Sequence, residues 1–372
     1  MYFKWLNLNN NLNFVKLGKL EIPNRLILAP MAEVTDAPFR KISKKFGAGL
    51  TFTQMVSAEG VVNQNFYTSR YLSFGRDEKP IGVQILGNET ETLYKAVKEI
   101  KKFSPDVIDL NCGCPVPHVR ANNLGSSVSE NTKHLGELIA AMYRAAGDTA
   151  VSVKLRLGSC YSKINVVENA KAAEDNGASF VTVHFRNISD RYDTKPDFSF
   201  LEKIKKEVSI PIIANGSIFN PQDAIYLLKE LGADGVMIAR GALGNPFIFE
   251  RINKILNGEK DPGHPDILTV TKVLKEHLNL LKREFGEFRA LDRAKKLILW
   301  YSRFFNGISV LVTRILRARD FDELLEIIES HTISVLNDSF ISDDIAEIQS
   351  KFEKKVLFWL LDSELIVQSK TA

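Results

Sequence analysis

The residues in this sequence that are best suited to chemistry form a short segment with two thiols, Asn111-Cys112-Gly113-Cys114-Pro115. The segment ends the apolar run Val107-Ile108-Asp109-Leu110, which predicts a buried strand. A turn-forming glycine and a proline therefore hold Cys114 at a strand end. Because the usual pKa of a cysteine thiol is about 8.5, such a thiol is mostly protonated at neutral pH. It suits donation of a proton better than attack as a thiolate nucleophile.

Other apolar runs also end in polar, cationic or glycine-rich residues. Backbone N–H groups freed by the glycines after the two last runs, with Arg240 beside them, would hold a phosphate. Lys154 and His184 come from neighbouring runs and would meet the polar edge of a ring system attached to that phosphate. The residues at these ends are Pro30-Met31-Ala32, Gln84, Lys154, Arg156, His184, Arg186, Asn215-Gly216-Ser217 and Ala239-Arg240-Gly241.

Eight short segments rich in β-branched and apolar residues predict the strands that carry these groups. They are residues 25–29, 50–56, 81–86, 107–110, 151–155, 180–184, 212–214 and 235–239. Between most of them the apolar spacing predicts helices over residues 37–46, 90–102, 135–146, 166–176, 198–207 and 221–231. Eight such repeats close most naturally into a (β/α)8 TIM barrel, whose reactive groups lie at the carboxyl ends of the strands. A doubly wound open sheet is the alternative.

After the last predicted strand the apolar spacing is typical of helices only. Helical patterns cover residues 267–285, 288–305, 308–319, 321–330 and 343–361. We therefore predict a barrel domain over residues 1–250, a smaller all-helical domain over 251–330 and a helical extension over 331–372. Between Lys282 and Arg319, ten Lys or Arg stand against three acids and are interleaved with aromatic residues. This stretch is either a solvated helix face around an aromatic core or a surface that binds a polyanion.

The overall composition is that of an ordinary globular protein. Hydrophobic residues make up 45% of the 372 residues, and a net charge of +4 does not by itself indicate nucleic acid. Residues 1–16 hold no continuous apolar stretch, so we expect no signal peptide, no membrane helix and a cytoplasmic location. Three cysteines are too few for a disulfide framework or a zinc site, so no metal is expected.

Seven motifs follow one another in a fixed order. They are LEIPNRLILAPMA at residues 20–32, VTDAPFR at 34–40, MVSA at 55–58, NCGCP at 111–115, KLR at 154–156, NGS at 215–217 and MIARGALGNP at 237–246. In this order they resemble the flavin-dependent dihydrouridine synthases, which reduce uridines in RNA, and are closest to the bacterial B-type subfamily. The resemblance covers roughly residues 17–250 and is fainter in the helical region.

The resemblance implies an FMN at the mouth of the barrel and NADPH or NADH as reductant. It implies tRNA as the partner, and we expect a monomer. The implied cofactor contacts are Pro30, Met31, Ala32, Gln84, Lys154, His184, Asn215, Gly216, Ser217, Ala239, Arg240 and Gly241. Cys114 matches the family's catalytic cysteine, and Lys295, Lys296 and Arg314 match its RNA-binding helical domain.

In the implied reaction, reduced flavin delivers a hydride from N5 to C6 of uracil, and Cys114 on the opposite face protonates C5. Asn111 either orients the uracil edge or closes its strand as a turn residue. Arg156 and Arg186 meet either the RNA near the target base or the flavin phosphate. A uridine within folded RNA must leave its stack to reach the flavin, so the helical domain is expected to grip the surrounding RNA.

Three other functions agree with the same residues. One is the same chemistry on ribosomal RNA, and another is an FMN oxidoreductase of free pyrimidines similar to the dihydroorotate dehydrogenases. The third is a non-catalytic RNA-binding protein. The small-molecule enzyme would not need the helical domain, and the binding protein would keep its function without Cys114.

Overall fold

The computed structural model describes residues 14–18, 20–304 and 308–337 of the chain. These residues form two compact units. The first contains the described residues up to Ala239 together with Phe249–Asp261, and the second contains Arg240–Ile248 and the described residues from Pro262 onward. Within the described ranges, no helix has the length and hydropathy that crossing a bilayer requires.

A closed barrel of eight parallel strands forms the core of the first unit. The strands of the unit, in chain order, are β1 Val15–Leu17, β2 Leu20–Ile22, β3 Leu26–Leu28, β4 Leu50–Phe52, β5 Val56–Ser57, β6 Ile81–Leu86, β7 Val107–Asn111, β8 Ala150–Arg156, β9 Gly158–Cys160, β10 Lys163–Ile164, β11 Phe180–His184, β12 Ile212–Asn215 and β13 Gly235–Ile238. The barrel runs β3-β4-β6-β7-β8-β11-β12-β13 and closes through pairing of β13 with β3. The predicted TIM barrel is confirmed.

Two antiparallel hairpins accompany the barrel. The first, β1-β2, packs Val15, Leu17 and Ile22 in one apolar cluster with barrel residues that include Leu50 and Phe180. Because Leu50 and Phe180 begin their strands, this hairpin covers the amino-terminal end of the barrel. The second, β9-β10, follows β8 at the opposite end. The apolar filling of one end leaves the carboxyl ends of the strands for polar groups.

Helices alternate with the barrel strands and then dominate the second unit. In chain order they are α1 Ala37–Lys45, α2 Ala58–Val62, α3 Phe66–Tyr71, α4 Thr90–Ile100, α5 Pro117–Ala121, α6 Thr132–Ala146, α7 Val166–Asp175, α8 Ser199–Glu207, α9 Pro221–Ile225, α10 Phe247–Leu256, α11 Ile267–Phe285, α12 Glu287–Tyr301, α13 Ile308–Arg317 and α14 Phe321–Asn337. Local chemistry fixes several starts: Asp36 accepts from the Phe39 N–H and caps α1. Asp266 caps α11 in the same way.

The second unit is held by close packing of its helices against a short loop. Gly244 has φ of +61°, and a Cβ there would lie 2.2 Å from the carbonyl carbon of Trp300. The loop backbone therefore touches the end of α12 directly, which only glycine permits. The Phe247 and Phe304 rings meet edge to face with centroids 5.9 Å apart. The unit thus has an aromatic core of its own.

Most predicted elements agree with the structure, and the differences concern a few bounds. The strand predicted over residues 50–56 is interrupted between β4 and β5. The helix predicted over 221–231 is α-helical at first and becomes a π-helix over Tyr226–Glu230. The predicted boundary at residue 250 falls inside α10, whose residues are divided between the two units. The helix predicted over 343–361 lies outside the described residues, as does most of the extension predicted over 331–372.

Candidate active site

The carboxyl ends of neighbouring barrel strands bring the predicted site residues together. Asn111 and Lys154 are direct neighbours in the β7-β8 pair. Arg156 pairs with His184, and His184 pairs with Asn215 across the next two strand pairs. The last residues of four consecutive strands therefore form one polar rim, where the sequence predicts the chemistry.

The loop after β7 presents one of its two thiols. Cys114 is partly exposed, whereas Cys112 is fully buried. Burial and the nearby Asp109 raise the pKa of the Cys112 thiol well above its ordinary value. The Cys114 carbonyl accepts from the N–H of Ser126 at 3.0 Å. Cys114 is therefore the thiol of this loop that can meet a substrate.

Asn111 and Arg156 hold the cysteine loop from two sides. Asn111 Oδ1 accepts from the N–H groups of Gly113 at 3.1 Å and Cys114 at 3.0 Å. Arg156 Nε donates to the Gly113 carbonyl at 2.8 Å, and its Nη1 donates to the carbonyl of Asn187 at 2.9 Å. For Asn111 these bonds agree with the turn-residue interpretation. The predicted substrate contacts of both residues remain predictions.

Lys154 is a cation of the rim with no hydrogen-bond or ion-pair partner in the described part of the chain. No hydrogen bond or ion pair links its ammonium group to any described residue, although a lysine ammonium offers three donors. Burial, with the neighbouring Arg156 charge, lowers the pKa of Lys154 to about 8, against the opposing effects of Asp109 and Cys114. The group is still mostly protonated at neutral pH, so it can donate to an electron-rich ligand atom.

Arg186 is buried two residues after the end of β11 and bonds to the turn after β12. It donates from Nη1 to His184 Nε2 at 3.0 Å, from Nη2 to Ser217 Oγ at 2.7 Å and from Nε to the Thr194 carbonyl at 2.6 Å. A guanidinium only donates, so Nε2 of His184 is the acceptor and its Nδ1 carries the proton. The proposed contact of Arg186 with RNA or phosphate stays a prediction, and the structure adds this positioning role.

The turn after β12 contains two residues with positive φ, and its predicted cofactor contacts remain predictions. Asn215 Nδ2 donates to the Met237 carbonyl at 2.7 Å, which ties the end of β12 to β13. Gly216 and Ser217 then take φ values of +137° and +47°. A Cβ on Gly216 would lie 3.1 Å from Pro196 and 3.4 Å from His184. The glycine is thus needed for the close approach of chain segments at the rim.

A buried acid, Asp109, is a site residue that the sequence analysis did not single out. Its oxygens accept from Gln84 Nε2 at 2.7 Å and from Ser152 Oγ at 2.6 Å. Burial raises the pKa of Asp109 to about 6, although these bonds and the charge of Lys154 oppose the shift. The signal in the sequence was an acid in the middle of a buried apolar strand, where an unpaired charge would be costly.

Replacing Asp109 by asparagine is expected to make stability less dependent on pH. The pKa of this carboxyl is 3.8 ordinarily and about 6 in the fold. Its contribution to stability is therefore complete below the lower value and is lost as the pH rises through the higher value. Between pH 4 and 7 the wild type should lose on the order of 2–3 kcal/mol that Asp109→Asn does not lose. Urea unfolding of both proteins across that range measures the difference, and a constant difference would contradict the expectation.

The remaining predicted cofactor contacts lie after β3 and β13. Pro30, Met31 and Ala32 follow β3, and the Met31 backbone exchanges two hydrogen bonds with the Thr35 hydroxyl. Ala239 follows β13. Arg240 and Gly241 begin the turn Arg240–Ala242, which belongs to the second unit. Among the described residues, no group of three His, Cys, Asp or Glu side chains could hold a metal ion.

The predicted RNA contacts of the second unit lie on α12 and α13. Lys295 Nζ donates to the Leu316 carbonyl at 3.3 Å, and Lys296 lies 5.3 Å from the centre of the Trp300 ring. Arg314 is exposed and donates from Nη2 to Ser330 Oγ at 3.0 Å. Phe288, also on α12, is 93% exposed. The unit therefore presents cations and an aromatic ring at its surface.

Comparison with known proteins adds independent findings. The family model described as dihydrouridine synthase matches residues 27–334. The tRNA-dihydrouridine synthase B of Pseudomonas aeruginosa is 34% identical over 313 residues, which cover 84% of this chain and 93% of that protein. A probable tRNA-dihydrouridine synthase of Mycobacterium tuberculosis is 32% identical over 321 residues, which cover 83% of this chain and 82% of that protein.

Solved structures agree on the barrel. Morphinone reductase superposes with a TM-score of 0.50 at 14% identity, over 70% of this chain and 92% of its own. Histamine dehydrogenase from Rhizobium sp. 4-9 superposes with a TM-score of 0.55 at 13% identity, over 72% of this chain. This chain spans about half the length of the histamine dehydrogenase chain, 50%. At these identities the likeness concerns the fold alone.

Proposed function

This chain belongs to the dihydrouridine synthase family, and from that membership and the geometry around Cys114 we propose that it reduces the C5=C6 bond of particular uridines in tRNA to 5,6-dihydrouridine. The observation that carries the proposal is a partly exposed thiol on the same rim as the Lys154 ammonium group, which has no hydrogen-bond or ion-pair partner among the described residues. The Cys114 thiol suits protonation of a base, and the Lys154 ammonium group suits binding of a cofactor with an electron-rich edge.

The residues of the rim fit an FMN. The N–H donors of the Lys154 ammonium have no acceptor among the described residues and would bind the carbonyl edge of the isoalloxazine ring. The backbone of the turn Gly216-Ser217 packs closely against Pro196 and His184, and Arg240 and Gly241 remain the proposed phosphate contacts. When bound and reduced, FMN supplies the hydride that goes to C6 of the uracil, with NADPH as the proposed source of electrons.

Cys114 supplies the proton in this proposal. Its Sγ–H would donate to C5 of the uracil, and the resulting thiolate would interact with the positive charges of Lys154 and Arg156, both of which interact electrostatically with Cys114. These charges favour the thiolate that proton transfer leaves behind. The loop is held by Asn111 and Arg156, so the thiol is positioned before a substrate arrives.

The second unit is the proposed RNA-binding surface. A target uridine leaves its stack to enter the barrel, and contacts with the surrounding RNA have to offset that cost. Lys295, Lys296 and Arg314 would contact phosphates, and the exposed Phe288 ring would stack on a base. Ribosomal RNA shares this chemistry and is the alternative substrate within the same proposal.

Replacing Lys295, Lys296 and Arg314 by alanine is expected to weaken tRNA binding without slowing the reduction of bound substrate. Each lost phosphate contact reduces the slope of log Kd against log salt by about 0.7–0.9. We therefore expect KM for tRNA to rise by roughly tenfold or more at physiological salt, with kcat unchanged. Binding measured over a salt series, with steady-state kinetics, tests this.

A charge-matched control replaces Lys98, Lys203 and Lys229 by alanine, because these exposed lysines belong to the first unit and not to the predicted surface. Its salt slope is expected to equal that of the wild type. An equal loss of affinity in both triple variants would assign the binding to net charge and contradict the proposed surface.

A reconstituted assay tests the proposed function directly. The purified protein is expected to show the visible absorbance of a bound flavin and to convert uridines of unmodified tRNA to dihydrouridine when NADPH is supplied. Parallel reactions contain ribosomal RNA, uridine monophosphate or NADH. Turnover of the free nucleotide at the rate seen with tRNA would favour a small-molecule reductase, and RNA binding without any turnover would favour a binding protein.

A further inference from the structure

A chain of buried hydrogen bonds runs from the barrel interior to the loop of Cys114. Ser152 Oγ and Gln84 Nε2 donate to the two oxygens of Asp109. Asn111 Nδ2 donates to Gln84 Oε1 at 2.9 Å, and Asn111 Oδ1 accepts from two loop amides at 3.1 and 3.0 Å. Asp109 and Gln84 are at most 1% exposed, so water does not replace these partners.

The donors and acceptors allow this series of hydrogen bonds only one direction. An ionised carboxylate only accepts hydrogen bonds, so Gln84 has to turn its NH2 towards Asp109 and its carbonyl towards Asn111. Asn111 must then turn its NH2 towards Gln84, which leaves its carbonyl for the loop amides. With either amide reversed, two donors or two acceptors would face each other in a buried site.

We propose that Asp109 is a positioning residue for the reduction: through Gln84 and Asn111 it fixes the orientation of the loop that presents Cys114. The consequence for catalysis rests on the proposed function, whereas the effect on the loop is a property of the protein alone. Asp109 lies at the interior end of this series of hydrogen bonds and does not itself touch the substrate. Its role is to give each amide in turn one orientation.

An exchange of two side chains tests this role. Asp109→Asn removes the obligatory acceptor, so Gln84 and Asn111 lose their fixed orientation. The double variant Asp109→Asn/Gln84→Glu moves the carboxylate from position 109 to position 84, the next member of the hydrogen-bond series. The introduced carboxylate then accepts from both of its neighbours, and the introduced amide accepts from Ser152, so Asn111 regains its orientation. Thr182→Val is the control, because the buried Thr182 hydroxyl has no hydrogen-bond partner in the described part of the chain.

The three cysteines provide the readout. Protein labelled with 15N-cysteine gives three amide signals, and the variants Cys114→Ala and Cys160→Ala assign them. The Cys114 amide donates to Asn111 Oδ1, and the Cys112 amide donates to the Lys154 carbonyl at 2.8 Å in the strand ladder. Hydrogen exchange is measured at a pH above 7, where Asp109 is ionised.

In Asp109→Asn we expect exchange of the Cys114 amide to accelerate roughly tenfold, with the Cys112 amide unchanged. The double variant should return the Cys114 amide close to the wild-type rate, and Thr182→Val should leave it there. An unchanged Cys114 amide in Asp109→Asn would overturn the inference. So would a double variant that exchanges as fast as Asp109→Asn while Cys112 stays protected.

The rate of dihydrouridine formation is the second measurement on these variants, and it reports the effect on activity. Asp109→Asn is expected to lower kcat about tenfold at unchanged KM, and Thr182→Val should leave kcat at the wild-type value. Equal kcat values for Asp109→Asn and the wild type would overturn the inference. Wild-type protein without any dihydrouridine formation would overturn the proposed function instead, and the amide measurements would still decide the effect of Asp109 on the loop.

Discussion

Cys114→Ala is expected to lower the rate of dihydrouridine formation by about 10²–10⁴-fold, the usual contribution of a positioned general acid. Reduction of the flavin by NADPH should continue at the wild-type rate, because that step needs no proton donor on the substrate face. The loop should keep its shape, since its hydrogen bonds use the backbone of residue 114 and the side chains of Asn111 and Arg156. Single-turnover kinetics with reduced enzyme and tRNA separate the two steps.

Cys160→Ala is the matched control. Cys160 also carries a partly exposed thiol, but it lies in the β9-β10 hairpin and no role is proposed for it. Its rate is expected to equal that of the wild type. A Cys114→Ala enzyme that keeps more than about a tenth of the wild-type rate would exclude this thiol as the proton donor.

Lys154→Met is expected to weaken FMN binding by roughly tenfold to a hundredfold, which corresponds to the loss of one hydrogen bond from a charged donor. The same change should not destabilise the protein without cofactor. The ammonium group is partly buried and has no hydrogen-bond partner among the described residues, so its removal takes away a desolvated charge. Titration of the apoprotein with FMN and thermal unfolding of the apoprotein measure the two effects.

Lys44→Met provides the contrast. Burial also lowers the pKa of Lys44 to about 8, but its ammonium group donates to the Gly49 carbonyl at 3.2 Å. This variant is therefore expected to lose stability and to bind FMN as the wild type does. If Lys154→Met lost stability and kept its FMN affinity, the proposed contact between Lys154 and the flavin would be wrong.

The barrel could be predicted from the sequence because its strands are buried on both faces. Each appears as a short apolar run, as at residues 81–86 and 180–184, and the predicted limits of both agree with the structure. The hairpins β1-β2 and β9-β10 were not predicted, because strands of two or three residues are too short to show a period.

The meeting of the polar side chains of the rim at the strand ends could also be predicted, but their hydrogen-bond partners could not. Arg156 bonds to Gly113, which lies 43 residues earlier, and Arg186 bonds to Ser217, which lies 31 residues later. Only the register of the strands brings such residues together. The same reason explains why Asp109 was missed, since its role depends on Gln84 and Ser152 from the adjacent strands.

Mapping of dihydrouridine by mass spectrometry in tRNA and ribosomal RNA tests the proposed function most directly. The RNA comes from cells with and without this gene, and from deletion cells complemented with wild-type protein or Cys114→Ala. We predict that dihydrouridine disappears from defined tRNA positions in the deletion cells and returns only with the wild type. Unchanged dihydrouridine at every position, in cells without a second synthase, would contradict the proposed function.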